Sequence, residues 1–240
     1  MKQVIFKVKS NKALSADVSE LKLMGDTVGL RAGQFVEIAL PSFYLRRPFG
    51  VADCDGETLT VLYKVVGLGT ETMTSLQPGD ALDVLTDLGN GFGAECEKPL
   101  LIGGGIGLAP LYLLAKAFCN RGVRPTIIMG FKTANEAFYV KEFSAIADVI
   151  VSTEDGTLGE KGNAVEVLKR GNFVYDKYFA CGPMAMLKAL KEYNADGELS
   201  LEARMGCGFG ACMGCSIMTV SGAKRVCKEG PIFAAKEVIL

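Results

Sequence analysis

Four of the eight cysteines in this 240-residue chain fall within 21 residues: Cys207, Cys212, Cys215 and Cys227, in the order C-x4-C-x2-C-x11-C. Three thiols on one loop with a fourth from a neighbouring segment is the spacing of a plant-type 2Fe-2S cluster. Gly206, Gly208, Gly210, Ala211 and Gly214 lie between or beside them. Residues this small let a backbone wrap a compact group and aim its amides at sulfur. A structural zinc is the alternative, but it usually draws on two separated Cys-x-x-Cys pairs, and one such pair is present. Disulfides or free thiols are the remaining reading. The chain has no histidine, which removes Ser-His-Asp and Cys-His nucleophiles, His-ligated zinc and Rieske-type iron. A Gly- and Cys-rich tail leaves little room for a core, so the fold must be supplied by the residues before it.

Charge and patterning narrow the class. The 26 Lys and Arg are matched by 27 Asp and Glu, a net charge of -1, so no cationic surplus exists to displace counterions from nucleic acid. The first nine residues alternate apolar and charged, unlike the continuous apolar core of a signal peptide. A long uncharged apolar run, Pro99 to Ala115, carries four glycines and Pro110. It reads as strand, Gly-rich turn and helix start, not as a membrane span. The expectation is a cytoplasmic protein that binds neither nucleic acid nor membrane, whose clustered cysteines serve a metal or redox role.

Residues 1–97 read as short strands broken by turns. Val4 to Val8, Leu59 to Val65 and Ala81 to Leu85 have strand lengths and β-branched content, and Ala32-Gly33, Asp55-Gly56, Pro78-Gly79-Asp80 and Gly89-Asn90-Gly91 punctuate them. This pattern predicts a small antiparallel β-barrel. From residue 98 the rhythm changes. Apolar runs at 100–102, 126–129, 149–151 and 178–180 alternate with helical patterns at 109–119, 135–146, 163–170 and 183–193. Alternation of this kind implies right-handed crossovers and a parallel sheet. The expected organisation is therefore an antiparallel barrel over 1–97, an α/β nucleotide-binding domain over 98–197, and a small cluster-binding segment over 198–240.

Two turns of the α/β region carry ligand signals. Gly103-Gly104-Gly105-Ile106-Gly107-Leu108-Ala109-Pro110 follows an apolar strand and opens a helix. Glycines there allow a pyrophosphate to approach a helix N-terminus. The pattern departs from G-x-G-x-x-G, and no acidic residue stands about twenty positions on, where Lys132 is the nearest charge. A purely structural strand-to-helix turn is the competing reading. Ala180-Cys181-Gly182-Pro183-Met184 is a second such turn. Without a histidine to activate it, Cys181 fits the lining of a nicotinamide site better than a nucleophile. Cys54, Cys96 and Cys119 are scattered and read as structural thiols.

If both the cluster and the nucleotide site are real, chemistry demands a third group. A nicotinamide exchanges two electrons as hydride, an iron–sulfur cluster exchanges one, and no side chain converts between them; a flavin does. The barrel is the place for it. Arg46-Arg47-Pro48-Phe49-Gly50 offers basic and aromatic groups, Tyr63-Lys64 an aromatic face and a cation, and Gly69-Thr70 a helix cap able to hold phosphate. Taken alone, these residues equally describe a solvated Arg pair and an ordinary cap.

The order Arg47-Pro48-Phe49-Gly50, Gly69-Thr70, Gly103 to Pro110, and Cys181-Gly182-Pro183 resembles the ferredoxin–NADP reductase superfamily. With Ser200-Leu201-Glu202-Ala203-Arg204-Met205-Gly206-Cys207 and the three cysteines after it, the whole chain is similar to the electron-transfer subunits of type B dihydroorotate dehydrogenases. The resemblance implies FAD on the barrel, held by Arg47, Pro48, Phe49, Gly50, Leu62, Tyr63, Lys64, Gly69 and Thr70. It implies NAD at Gly103, Gly104, Gly105, Gly107, Cys181, Gly182 and Pro183, and a 2Fe-2S cluster on Cys207, Cys212, Cys215 and Cys227. Gly50 departs from the family's usual Ser or Thr, so a hydroxyl contact to flavin is absent. No catalytic side chain is expected, since the cofactors carry the chemistry. The resemblance further implies an FMN-containing dihydroorotate dehydrogenase catalytic subunit as partner, in a two-plus-two heterotetramer serving pyrimidine (UMP) biosynthesis. A subunit of another complex, such as a ferredoxin:NADP oxidoreductase or sulfide dehydrogenase, is the runner-up. A zinc-stabilised nucleotide-binding regulatory module is the reading from another class.

Overall fold

The computed structural model describes residues 1–93 and 95–240. The N-terminal half holds six strands and one short helix: β1 (Lys2–Ala13), β2 (Val18–Met24), β3 (Phe35–Ile38), β4 (Arg47–Cys54), β5 (Thr58–Lys64), α1 (Leu68–Met73) and β6 (Ala81–Leu88). The strands close into an antiparallel barrel in the order β1-β2-β5-β4-β3-β6. Period-two alternation makes the wall. Along β6, Leu82, Val84 and Thr86 are buried while the residues between them are less covered, and Leu82 and Val84 pack in the barrel core. Closure removes every sheet edge. Met73 and Leu76, at the end of α1 and just beyond it, are buried with the barrel core. The Met73 carbonyl accepts the Asn11 amide at 2.8 Å, and Asn11 Oδ1 accepts the Tyr63 hydroxyl at 3.0 Å.

The second half alternates as the pattern predicts. It runs β7 (Pro99–Gly104), a 3-10 turn (Gly105–Leu108), α2 (Ala109–Asn120), β8 (Thr126–Phe131), α3 (Val140–Ser144), β9 (Asp148–Thr153), β10 (Glu160–Lys161), α4 (Ala164–Arg170), β11 (Lys177–Cys181) and α5 (Met184–Tyr193). β12 (Gly197–Ser200), β13 (Ser216–Thr219), β14 (Gly222–Arg225) and β15 (Ile232–Ala234) follow. The main sheet is ordered β10-β9-β8-β7-β11-β12-β15, parallel except for β15, which runs antiparallel to β12. Its central strands β7, β8 and β11 are apolar on both faces, as a helix-covered parallel sheet requires. Leu101, Ile127 and Phe179 face α2, while Leu100, Ile102 and Tyr178 face α4 and α5. Leu111, Leu114, Ala115 and Phe118 form the buried stripe of α2 at helical spacing.

The cluster segment is not an appendage. Its β15 completes the sheet, and Val226, Phe233, Ala235 and Val238 are buried in the same core as Leu199 and Ala180. β13 and β14 form a separate two-stranded ribbon. Asn90, in the linker leaving the barrel, fastens this segment from outside. Its Nδ2 donates to the Glu229 and Ile232 carbonyls at 3.0 and 2.8 Å, and its Oδ1 accepts the Ile232 amide at 2.9 Å.

Barrel and sheet meet along β4 and β5. Ala52 and Leu62 point out of the barrel into the core that contains α2, so β5 is buried on both faces. Lys116 of α2 pairs with Asp53 at 2.6 Å. The Tyr139 hydroxyl donates to Glu20 of β2 at 2.5 Å, out of solvent. Tyr139 itself has a left-handed backbone, φ 60°. The helical pattern over 135–146 is accordingly broken into a 3-10 turn at 134–136 and the five-residue α3, because Tyr139 turns out of the helix to reach the barrel.

Replacing Asn90 by Ala removes three bonds at once and leaves backbone groups of the cluster segment without partners. A loss of roughly 5–10 °C in melting temperature is expected. A variant that melts within a degree or so of the wild type would show that the clamp carries no weight.

Candidate cofactor sites

Two cavities open where barrel and sheet meet. The first, about 410 Å3, is bounded by Arg47, Pro48, Phe49, Gly50, Leu62, Tyr63, Lys64 and Thr70 from the barrel side. Ile106, Ala109, Pro110, Cys181, Ser200 to Ala203 and Pro231 close it from the other side. Its walls are mostly apolar, with cations at the rim. Arg47 is held by its own neighbourhood: Nη1 donates to the Leu45 carbonyl at 2.6 Å, and the guanidinium lies over Phe43, 4.9 Å from the ring centre. Gly69 does not line the cavity; it makes room for Arg47, whose Nε would be 2.7 Å from a β-carbon there. Thr70 Oγ1 accepts the Val66 and Gly67 amides at 2.9 and 3.3 Å. At Gly50 the nearest atom to a β-carbon would be Pro110 Cβ at 3.6 Å, so packing leaves space for a side chain at this position.

The second cavity, about 760 Å3, lies at the carboxyl ends of β7, β8, β9 and β11. Gly104, Gly105, Gly182 and Pro183 line it, together with Met184 and Ala185 at the N-terminus of the ten-residue α5. Free amides and the helix dipole favour an anion there. Gly103 and Gly107 line neither cavity. Gly107 lies against the Cys181–Gly182 backbone, 2.3 Å from the Cys181 carbonyl for any β-carbon, and Gly103 is pressed on Leu108. These two glycines let the adjacent turns approach each other. The chain also enters α2 through a 3-10 turn instead of straight from the strand, so α5, not α2, presents the more open N-terminus. Cys181 opens onto the first cavity rather than the second. Burial pushes its thiol up to about 12, with Glu202 adding to the shift, which keeps it a neutral thiol.

Lys64, Ile106 and Glu202 line both cavities. Burial also raises the Glu202 carboxyl above its ordinary value. Glu202 sits in the sequence motif Ser200 to Cys207, but its place on the seam depends on the β11–β12 pairing, which no local pattern announces. Lys64 pairs with Asp17 at 2.7 Å on the rim.

The four cysteines form two contacting pairs, Cys207 with Cys212 and Cys215 with Cys227. Amides point at sulfur in both. Cys207 Sγ accepts the Ala211 and Cys212 amides at 3.2 and 3.4 Å, and Cys215 Sγ accepts the Cys227 amide at 3.4 Å. Burial pushes Cys207 up, yet the amides of Cys212, Phe209 and Ala211 outweigh it and hold the thiol at about 6. Burial and the Cys215 contact push Cys227 up to about 12. Among the described residues no three ligand side chains converge on a point that could hold one metal ion. The two-plus-two arrangement instead suits a group with two metal atoms, each taking two thiolates. Arg225 braces the loop: Nη1 donates to the Gly210 carbonyl at 2.6 Å, and the side chain pairs with Glu229, whose carboxyl it holds down at about 2.

Glu37 is the feature that sequence reading passes over. It is a single acid in the apolar run of β3, buried at 1% exposure. Gly208, with φ 75°, lies against it: a β-carbon there would come within 2.4 Å of Glu37 Oε1. That oxygen has no hydrogen-bond partner. Burial pushes the carboxyl up to about 7, opposed by Arg46 and assisted by Cys207.

Residues 202–239 match the family model described as the iron–sulfur cluster binding domain of dihydroorotate dehydrogenase B. The chain is 40% identical to the dihydroorotate dehydrogenase B (NAD(+)) electron transfer subunit of Fusobacterium nucleatum subsp. nucleatum, over 96% of each chain. The counterpart from Geobacillus sp. (strain WCH70) is also 40% identical, over 100% of each. The chain belongs to the family of dihydroorotate dehydrogenase B electron transfer subunits. Membership makes it an oxidoreductase component and bears out the resemblance carried by its motifs. An NADH-dependent reduced ferredoxin-NADP oxidoreductase structure superposes with a TM-score of 0.88 at 30% identity, over 98% of this chain and 89% of that one. A cytochrome P450 reductase from Amycolatopsis, at TM-score 0.70 and 22% identity over 80% of this chain and 66% of that one, shares the fold of barrel and sheet. No helix among the described residues is long and apolar enough to cross a membrane.

A carboxyl whose pKa rises on folding, from 4.5 to about 7 for Glu37, binds its proton more tightly in the native state. Native stability is therefore highest below pH 4.5 on this account and falls as pH rises toward 7. The loss is at most ~3 kcal/mol. Replacing Glu37 by Gln should remove it, so urea midpoints of variant and wild type should diverge between pH 5 and pH 8 in the variant's favour. Parallel pH profiles would contradict the assignment.

Proposed function

We propose that this chain carries electrons from an FMN-containing dihydroorotate dehydrogenase subunit to NAD+, within pyrimidine biosynthesis, in a cytoplasmic two-plus-two heterotetramer. The observation that carries this reading is the shared wall of Lys64, Ile106 and Glu202 between the two cavities. Two ligands bound in them would touch across it. When bound, FAD would supply exchange of one hydride, two electrons, with NAD and of single electrons with the 2Fe-2S cluster, which is the conversion that no side chain can make.

The residues divide that work. Arg47, Lys64 and Thr70 would hold phosphates and the polar edge of FAD, with Pro48, Phe49, Gly50, Leu62 and Tyr63 walling its ring; Gly69 acts by freeing the Arg47 path. Gly104, Gly105, Gly182 and Pro183 would bring backbone to the NAD pyrophosphate, while Gly103 and Gly107 set the spacing of the turns. The neutral Cys181 thiol and the apolar walls exclude water from the seam. Cys207, Cys212, Cys215 and Cys227 would ligate the cluster, and the amides on their sulfurs stabilise thiolate charge. Residues 1–97, 98–197 and 198–240 thereby serve FAD, NAD and cluster in turn.

The test separates the two ends of the path. Replacing Cys212 by Ser in the co-expressed complex should reduce dihydroorotate-dependent NAD+ reduction to background, while NADH-dependent dye reduction at the flavin keeps its rate. Equal loss of both, with flavin content retained, counts against this wiring. The likeness to a reduced ferredoxin-NADP oxidoreductase structure favours the runner-up partner. Co-purification with a subunit that turns over ferredoxin and not dihydroorotate would select it.

A further inference from the structure

Strand alternation puts Val36 and Ile38 of β3 in the barrel core and turns Phe35 and Glu37 outward. Phe35 joins the core that the sheet shares with Val226 and Phe233 of the cluster segment. Glu37, on the same face, is covered by that segment's cysteine loop. Gly208 lies on it, and Oε1, Cδ and Cγ of Glu37 would all stand within 2.8 Å of a β-carbon there. The left-handed backbone that follows Cys207 therefore uses a glycine twice over, for its φ of 75° and for the room it leaves to the carboxyl. The two cations that act on Glu37 are committed elsewhere. Arg46 donates to the Asp83 carboxylate at 2.6 Å and to the Asp83 carbonyl at 2.8 Å, and Arg47 donates to the Leu45 carbonyl at 2.6 Å. Among the described residues Glu37 forms no ion pair, and its buried Oε1 accepts no hydrogen bond.

An apolar side chain would fill this place at less cost, so packing does not account for the acid. Its neighbour does. Cys207 Sγ accepts the Ala211 and Cys212 amides at 3.2 and 3.4 Å, and amides on sulfur make an iron–sulfur cluster easier to reduce. A negative charge held out of water on the same loop acts in the opposite sense. We propose that Glu37 sets the reduction potential of the cluster: its carboxylate, buried without an ion pair under Gly208, makes the cluster harder to reduce and quicker to pass its electron on. One electron enters and one leaves, and no bond forms or breaks. The proposal rests on reading the four cysteines as cluster ligands.

A redox titration of the purified complex, followed by the electron paramagnetic resonance of the reduced cluster, tests it without turnover. It is run at about pH 8.5, above the range in which the carboxyl takes up its proton. In Glu37→Gln the cluster's reduction constant should rise by at least about tenfold, which is ~59 mV for one electron. Glu37→Asp keeps the charge and should stay close to the wild type. An unchanged potential in Glu37→Gln, with the cluster signal intact, overturns the assignment of Glu37 alone. So does a Glu37→Asp shift as large as that of Glu37→Gln, because packing and not charge is then at work. Loss of iron and sulfide from Glu37→Gln makes the residue a support of the loop and overturns the proposal as well. A wild-type complex without iron, sulfide and the cluster signal overturns the cluster reading itself.

Discussion

One amide side chain decides where the cluster segment lies. Asn90 satisfies two carbonyls and one amide of residues 229–232, and its own backbone amide donates to the Gly230 carbonyl at 2.7 Å. Those bonds set β15 beside β12, and β12 in turn delivers Ser200, Leu201 and Glu202 to the seam between the cavities. The Leu201 amide donates to the Pro231 carbonyl at 2.8 Å and closes the same loop from the other side. First cavity, second cavity and cysteine loop are thus registered against one linker, although their residues lie more than a hundred positions apart.

Charge is arranged around this frame with equal economy. Two half-buried acids of the barrel are paired with cations, Asp53 with Lys116 and Asp83 with Arg46. Among the described residues, two acids at the seams form no ion pair: Glu37 under Gly208, and Glu202 between the cavities. Desolvation raises both. A buried carboxyl without an ion pair is costly to a fold, and Glu37 beside the thiols marks a place where the protein sets local electrostatics.

How much of this was legible depended on the range of the interaction. The cysteine spacing, the two strand-to-helix turns and the apolar runs of β7, β8, β9 and β11 are local patterns, and they located the cluster loop and most of the walls of both cavities. The family resemblance added Leu62, which lines the first cavity. Non-local effects were silent. The pattern over 135–146 reads as one helix, but the bond from Tyr139 to Glu20 interrupts it. β12 and β15 are four and three residues long, too short for periodicity to register. Gly103 and Gly107 looked like ligand contacts because a glycine that admits a phosphate and one that admits a neighbouring backbone are identical in sequence.

β5 has a consequence beyond holding the barrel shut. Tyr63 and Val61 point into the barrel core while Leu62 points into the core under α2, so no solvated layer separates the two bodies at that strand. Barrel and sheet are therefore set apart at that strand by side chains alone, and a larger residue at position 62 acts as a shim while a smaller one leaves a void. The spacing of the two bodies is in this sense a packing dimension, adjustable one methylene at a time.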